Sequence, residues 1–367
     1  MPQLSVLGLM SGSSLDGVDL GWCAFNFSDE YPGVLLDWQL RAGRTLPYSA
    51  TWTERLRQAP ELSGRELWQL HTDLGHYYGQ VCQDFLAENG AEVDCVASHG
   101  HTVFHFPQQR TTTQVGDAAA MAAILGLPVI DQFRTQDMAL GGQGAPLAPL
   151  ADKYLFHQYW GNLNLGGIAN ISVRTSAGYI ACDIGGANQV LDALVAEIGL
   201  PYDDEGQLAR SGQLLPDLLA QANALPYFHA PSPKSLGNDW VQEQLLPLFQ
   251  NKDQQLADRL HTFCVHCAEQ IGRSVQQITT QYELATTSDD QIMVAGGGGF
   301  NTFLCECIGQ QIAPRQLSIP TGDIVAYKEA ALLALAGALR WLELPNVLPA
   351  ATGARRASVG GAVHWGA

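Results

Sequence analysis

Basic residues are scarce in this chain: 19 Lys and Arg stand against 36 Asp and Glu in 367 residues, a formal net charge of −17. Neutralising a phosphate backbone requires clustered cations, so no nucleic-acid partner is expected. Long apolar runs are also missing. None approaches the roughly 20 residues needed to cross a bilayer, so no membrane span is expected. The opening MPQLSVLGLM has no basic segment followed by a continuous apolar stretch and a small-residue cleavage site, and no secretory leader is expected. Eight cysteines are too few for a disulfide scaffold, and most lie in apolar settings such as Val93-Asp94-Cys95-Val96-Ala97, which reads as reduced and structural. Two common nucleotide motifs are absent as well. There is no G-x-x-x-x-G-K-[ST], and Gly296 to Asn301 does not satisfy G-x-G-x-x-G. These absences leave a cytoplasmic enzyme acting on small molecules as the expected class.

A pattern that occurs twice is present instead. Leu4 to Met10 and Val18 to Phe25 read as paired strands, with Ser11-Gly12-Ser13-Ser14-Leu15-Asp16-Gly17 as the polar tip between them. Asn162 to Leu165, Gly166-Gly167 and Ala169 to Val173 repeat the arrangement. A third glycine-rich tip, Gly296 to Gly299, follows the strand Ile292 to Ala295. Leu67, Leu70, Leu74, Tyr78, Val81 and Phe85 mark a long amphipathic helix ending near Asn89-Gly90. Further helices are expected from Ala118 to Leu125, through Leu260, Cys264, Cys267 and Ile271, and from about Ala326 to Leu342. Cys95 to Ala97 and Pro128 to Ile130 read as strands, and Gly141 to Pro146 as a loop. The length exceeds one ordinary core. Duplicated α/β domains are therefore expected, over residues 1–135 and 136–367, with the tail packing back on the first.

Glycine at a strand end lets backbone amides approach an anion closely, so three such tips point to a nucleotide phosphate site. Asp183 follows the strand Tyr179 to Cys182 and precedes Ile184-Gly185-Gly186-Ala187-Asn188. It reads either as a general base or as the cap of the next helix. Asp131, Arg134 and Asp137 read as a solvated ion-pair network unless a site organises them. His99, His101 and His105 alternate and would share one face of a continuing strand, where a metal triad competes with packing and hydrogen bonding. Cys264 and Cys267 lie on an apolar helical stripe and read as packing rather than as a metal site.

The combination GLMSGSSLDGVD, ASHGHTVFHFP, QVGDAAAMAA, DQFRTQDMALGGQGAPL, NLGGIANIS, YDDEGQLARSG, PKSLG, VAGGGGFN and ATGARRASVGG closely resembles the anhydro-N-acetylmuramic acid kinases, in order from Gly8 to Gly361. That resemblance implies a two-domain actin-like (ribonuclease H-like) sugar kinase fold with an interdomain active-site cleft. It also implies ATP and Mg²⁺ as cofactors, a 1,6-anhydro sugar as substrate, a place in cell-wall recycling, and a homodimer. Asp183 would activate the water that attacks C1, and O6 would take the γ-phosphoryl group. Gly12, Ser13, Ser14, Leu15, Asp16, Gly17, Val18, Asp19, Gly166, Gly167 and Asn170 would surround the phosphates, with Asp16 and Asp19 holding Mg²⁺. Gly296, Gly297, Gly298 and Asn301 would lie against the adenosine, and His101, Thr102, Arg134 and Glu329 would approach the sugar.

The sequence departs from the resembled pattern at several points. Asp183-Ile184-Gly185-Gly186-Ala187-Asn188 stands where Asp-Thr-Gly-Pro-Gly-Asn is usual, Ser13 stands for Thr, and His101 replaces the Gln of His-Gly-Gln-Thr. Ser235-Leu236-Gly237-Asn238-Asp239 lacks an arginine usual there. Alternative readings are a kinase of another anhydro sugar, such as levoglucosan, and a nucleotide-binding module without kinase activity.

Overall fold

The computed structural model describes residues 3–12, 15–176, 178–231, 234–320 and 322–366. Its strands in chain order are β1 (Leu4–Ser11), β2 (Gly17–Phe27), β3 (Leu35–Pro47), β4 (Cys95–Phe106), β5 (Thr111–Val115), β6 (Val129–Asp131), β7 (Gly161–Leu165), β8 (Ile168–Thr175), β9 (Gly178–Gly186), β10 (Gln291–Ala295), β11 (Gln316–Ser318) and β12 (Ala362–His364). The chain divides into two compact units, one of Met1–Leu155 with Tyr327–Ala367 and one of Phe156–Ala326. The units expected from the sequence, 1–135 and 136–367 with the tail packed on the first, put the first boundary about 20 residues earlier.

In the first unit the sheet runs β12-β6-β4-β1-β2-β3, with β5 paired to β4. β1, β2 and β3 form an antiparallel meander, whereas β4 and β6 run parallel to β1. The second sheet runs β11-β10-β7-β8-β9, again a meander of β7, β8 and β9 followed by two parallel strands. With β5 and β12 set aside, the strand order counted along each unit is the same, 3-2-1-4-5. The repeat that was faint in the residues is therefore explicit in the topology, and the fold is α/β with the expected duplicated order.

Both faces of β1 are covered, which is why LSVLGLMS is nearly all buried. On one face Leu7 and Leu9 pack with Leu70, Leu74, Tyr78 and Phe85 of the helix Gly64–Asn89. That helix starts at a capping box between Ser63 and Glu66 and ends at Gly90 in the left-handed conformation. On the other face lies the helix Gly322–Trp341. A Cβ at Gly8 would come within 1.9 Å of the Ala330 carbonyl oxygen, so only glycine lets this helix seat on the strand. The second unit has its own core, built from Leu163, Ile171, Val173, Ile184, Phe228, Phe249, Phe263 and Ile271.

Several local expectations change. β4 does not stop at Ala97 but runs through the polar cluster to Phe106, and β9 runs past Asp183 to Gly186. β3, whose Trp38, Leu40 and Ala42 alternate with polar residues, and β5, whose TTTQV carries little apolar signal, lie outside the strands expected from the sequence. Cys264 and Cys267 are buried in the helix Leu256–Gln281, and none of the eight cysteines forms a disulfide. No group of three metal-ligating side chains occurs among the described residues. No helix of the described residues is long and apolar enough to cross a membrane.

Candidate active site

Asp183 sits at a bulge in β9. Asn170 pairs with Asp183 and Ala169 with Gly185, which leaves Ile184 as the extra residue. Its backbone N–H donates to the Lys234 carbonyl at 2.8 Å, and its carbonyl accepts the Tyr227 hydroxyl at 2.8 Å. The Leu236 N–H donates to its carboxylate at 3.1 Å. The next helix, Asn188–Val195, is preceded by Ala187 and has no side-chain cap, so the capping role for Asp183 is excluded. Partial burial raises its carboxyl pKa, and the Leu236 N–H opposes that shift. A half-buried carboxylate that accepts one backbone N–H, on a residue whose main chain is held by the Lys234 carbonyl and the Tyr227 hydroxyl, is suited to accept a proton from water.

The tip between β7 and β8 leans on the start of the same helix. The Gly167 carbonyl accepts from Ala187 and Gln189, and the Gly166 carbonyl from Asn188. Asn188 also donates through its side chain to the Leu165 carbonyl at 3.0 Å. Gly296 packs against that carbonyl with φ +84, a conformation and a clearance that only glycine meets. Gly297, Gly298 and Gly299 line a cavity of about 650 Å³ together with Asn188, Asp192, Tyr202, Glu205 and Phe300. Tyr202 and Phe300 are exposed aromatic rings there, which suits stacking on a planar base. Asn301 lines the same cavity and is also a helix cap, its side-chain oxygen accepting from Leu304 at 2.9 Å. Sequence reasoning assigned no role to Asp192, Tyr202, Glu205 or Phe300. The stretches YDDEG and VAGGGGFN, quoted for their resemblance, contain Tyr202, Glu205 and Phe300, whereas no quoted stretch contains Asp192.

In the first unit the tip between β1 and β2 includes Leu15 at φ +60. Ser13 and Ser14 lie outside the described residues. Gly12 is partly buried, Gly17 and Val18 are buried, and Asp16 is exposed. Asp19 accepts the Thr45 hydroxyl at 2.6 Å. Burial raises the Asp19 carboxyl pKa, the Thr45 bond lowers it, and the negative charge of Asp16 raises it again. Glu329 follows in space. It is an exposed residue, yet desolvation of its carboxyl by nearby protein raises its pKa, reinforced by Asp19 and opposed by Lys328 and Arg134. Three carboxylates thus share one field with the Lys328 ammonium and the Arg134 guanidinium, which leaves a surplus of negative charge.

β4 supplies the histidines. Gly100 at φ +71 and a register shift against β1 break the alternation, so His99, His101 and His105 do not form a triad. His105 contacts the Thr112 hydroxyl, and Thr102 accepts from Gln114. Buried His99 contacts the Gly100 carbonyl through Nδ1 at 2.9 Å and accepts Arg134 Nε–H through Nε2 at 2.9 Å. Burial, aided by the Arg134 charge, brings its pKa down to about 3 and keeps it neutral. Arg134 Nη1 donates to the Gly144 carbonyl at 2.6 Å. The solvated network expected around Arg134 is not formed. Asp137 is buried and instead ties the Gly141–Pro146 loop, accepting from Gly144 N–H at 2.7 Å and from the Thr352 hydroxyl at 2.8 Å. Asp131 pairs with His364 at 3.2 Å, and burial pushes its pKa up to about 6.

Comparison with known proteins adds the following. The profile of the anhydro-N-acetylmuramic acid kinase family matches residues 4–366. Proteins described as anhydro-N-acetylmuramic acid kinase from Gloeobacter violaceus and from Shewanella sp. W3-18-1 are 33% and 34% identical to the chain. The first alignment covers 99% of each protein and the second 98% of each. A protein of the same description from Bacillus cereus G9842 is 30% identical, over 98% of this chain and 99% of the relative.

Proposed function

The chain belongs to the anhydro-N-acetylmuramic acid kinase family, and from that premise we propose that it uses ATP and Mg²⁺ to open 1,6-anhydro-N-acetylmuramic acid with water and to phosphorylate O6. The product is N-acetylmuramic acid 6-phosphate, a step in cell-wall recycling. Asp183 takes a proton from water, the water oxygen bonds to C1, and the C1–O6 bond breaks. O6 then takes the γ-phosphoryl group and ADP leaves. The observation that carries this reading is the partly buried Asp183 at the β9 bulge, whose raised pKa moves it toward the range useful to a general base.

Phosphoryl transfer needs positioning and charge neutralisation more than covalent chemistry. Residues Gly12 to Asp19, with Gly166, Gly167 and Asn170, are assigned to the triphosphate. Gly296, Gly297, Gly298 and Asn301 are assigned to the adenosine, which the 650 Å³ cavity is large enough to take. Asp16 and Asp19 fit Mg²⁺, which keeps several of its waters and needs few protein carboxylates. Bound there, the ion supplies neutralisation of phosphate charge. His101, Thr102, Arg134 and Glu329 are assigned to the sugar. Arg134, oriented by His99 and Gly144, offers a directed guanidinium to a carboxylate. The lactyl group of the muramic sugar has one and levoglucosan has none, which favours the muramic substrate. The family resemblance also makes a homodimer the expected assembly.

Mass spectrometry of the reaction in oxygen-18 water tests the proposal. One label at C1 and one phosphate at O6 are expected, with a control of product in labelled water to correct for exchange. Turnover of levoglucosan but not of the muramic sugar would overturn the substrate assignment. ATP binding without phosphorylation of either sugar would overturn the activity.

A further inference from the structure

Arg134 is held at two of its three guanidinium nitrogens. Nε donates to His99 Nε2 at 2.9 Å, and Nη1 donates to the Gly144 carbonyl at 2.6 Å. Two fixed corners leave a planar group no freedom to turn, so the third nitrogen, Nη2, has one direction. Nη2 bonds to no described residue and is not among the buried polar atoms without a partner, so it reaches accessible space. His99 is a steady support, being buried in β4. Gly144 lies instead in the Gly141–Pro146 loop, at φ +68, and its carbonyl is only as steady as that loop.

What steadies the loop comes from the far end of the chain. Asp137, 1% exposed, accepts the Gly144 N–H through Oδ2 at 2.7 Å and the Thr352 hydroxyl through Oδ1 at 2.8 Å. Thr352, 2% exposed, ends the short helix Pro349–Thr352. The Leu348 carbonyl is a second acceptor for its hydroxyl, but at 3.5 Å it is too distant to compete with a carboxylate at 2.8 Å. The Thr352 side-chain oxygen also accepts the Ala354 N–H at 3.4 Å, and its carbonyl accepts the Gln143 N–H at 2.8 Å. Among the described residues Thr352 is the only donor to Asp137 Oδ1. Without that hydroxyl, one oxygen of a buried carboxylate is left unsatisfied, which is strongly disfavoured, and the carboxylate has reason to turn away from Gly144.

We infer that Thr352 is a positioning residue for Arg134: acting through Asp137 and Gly144, the tail of the chain fixes the direction in which the guanidinium meets its ligand. The Glu329 carboxylate stands close enough to act on the Arg134 charge, so a guanidinium released at Gly144 has a competing partner. That the ligand group is the lactyl carboxylate of the anhydro sugar rests on the function proposed above. The fixed guanidinium does not.

Hydrogen exchange of the Arg134 Nε–H tests the clamp without substrate, followed by nitrogen-15 NMR of arginine-labelled protein and assigned by its loss in Arg134→Met. Thr352→Val keeps the side-chain shape and the Gln143 bond but removes the hydroxyl, and exchange is expected to quicken about fivefold or more. Thr352→Ser should restore the slow rate. Exchange in Thr352→Val equal to wild type would overturn the inference. In turnover, Thr352→Val should raise the sugar KM about fivefold with kcat and the ATP KM little changed, and Thr352→Ser should recover most of that loss. On an Arg134→Met background the same substitution should move the sugar KM by less than about twofold, because its route of action is gone. The full effect on that background, or equal losses for both substrates, would mean that Thr352 acts on the fold at large and would overturn the positioning role. Slow exchange that depends on Thr352, in a protein that turns over no anhydro sugar, would instead uphold the clamp and count against the proposed function.

Discussion

The two hairpin tips occupy equivalent places in the two sheets and are built from opposite materials. The tip between β1 and β2 is long and acidic, with Asp16 and Asp19 sharing the field of Glu329. The tip between β7 and β8 is short and uncharged, and its glycine carbonyls are bound to the start of a helix. A duplicated fold therefore supplies two similar scaffolds of which only one is loaded with carboxylates. The first is suited to a cation and its phosphates, the second to close backbone approach. In the second unit the carboxylate proposed as the base, Asp183, stands one strand further on.

The largest expected effect comes from that lone carboxylate. Asp183→Asn keeps an oxygen for the Leu236 N–H but removes the base, and kcat should fall about 10²–10⁴-fold with ATP affinity unchanged, read by ADP release and nucleotide titration. The wild-type acid limb of kcat/KM should lie above the ordinary aspartate pKa of about 3.9, because burial raises the Asp183 value. The sign for stability is the reverse of that for activity. With the folded pKa above the unfolded one, this group's stabilising contribution is present at low pH and is lost as pH rises through the folded value, so at neutral pH the charged form disfavours folding. Asp183→Asn should accordingly keep or raise Tm. A lowered Tm together with lost activity would mean a structural lesion.

Next in size, Arg134→Met should raise the sugar KM about 10- to 100-fold, in line with the loss of a charge-assisted bond worth about 1.5–3 kcal/mol. The effect should be on KM more than on kcat, since Arg134 is assigned to holding the sugar. Asp19→Asn at the acidic tip should raise the Mg²⁺ concentration for half-maximal rate about tenfold, an effect of about 1.4 kcal/mol. Gly167→Ala at the uncharged tip should change the same quantity by less than about twofold. A Cβ there meets only the Gln189 side chain at 3.6 Å, and nothing at that tip is charged. Equal responses at the two tips would erase the distinction between them.

The hairpins, the long helix with its Ser63 start and Gly90 stop, and the glycine tips were legible because each rests on local periodicity or on a local breaker. β3 was not, since an edge strand half open to water keeps a mixed composition. The polar stretches of β4 and β9 were read as strand ends because their side chains are satisfied by partners far along the chain. Ser11 is 90 residues from His101, and Leu236 is 53 from Asp183. The same holds for the base and its neighbours. Asp183 was legible as a candidate, but its release from the capping role depends on the bulge and on where the next helix begins. Asp137 and Thr352, 215 positions apart, could not be joined by any spacing rule.

The seat of the helix Gly322–Trp341 on Gly8 has a genetic consequence. Residue 8 lies inside a strand, among apolar neighbours, where a change to alanine would ordinarily pass as conservative. Here the added methyl meets the backbone of Ala330, the residue directly after Glu329. A screen for lost enzyme function should therefore recover substitutions at position 8 alongside those at the site itself, and mapping alone would misfile them as distant.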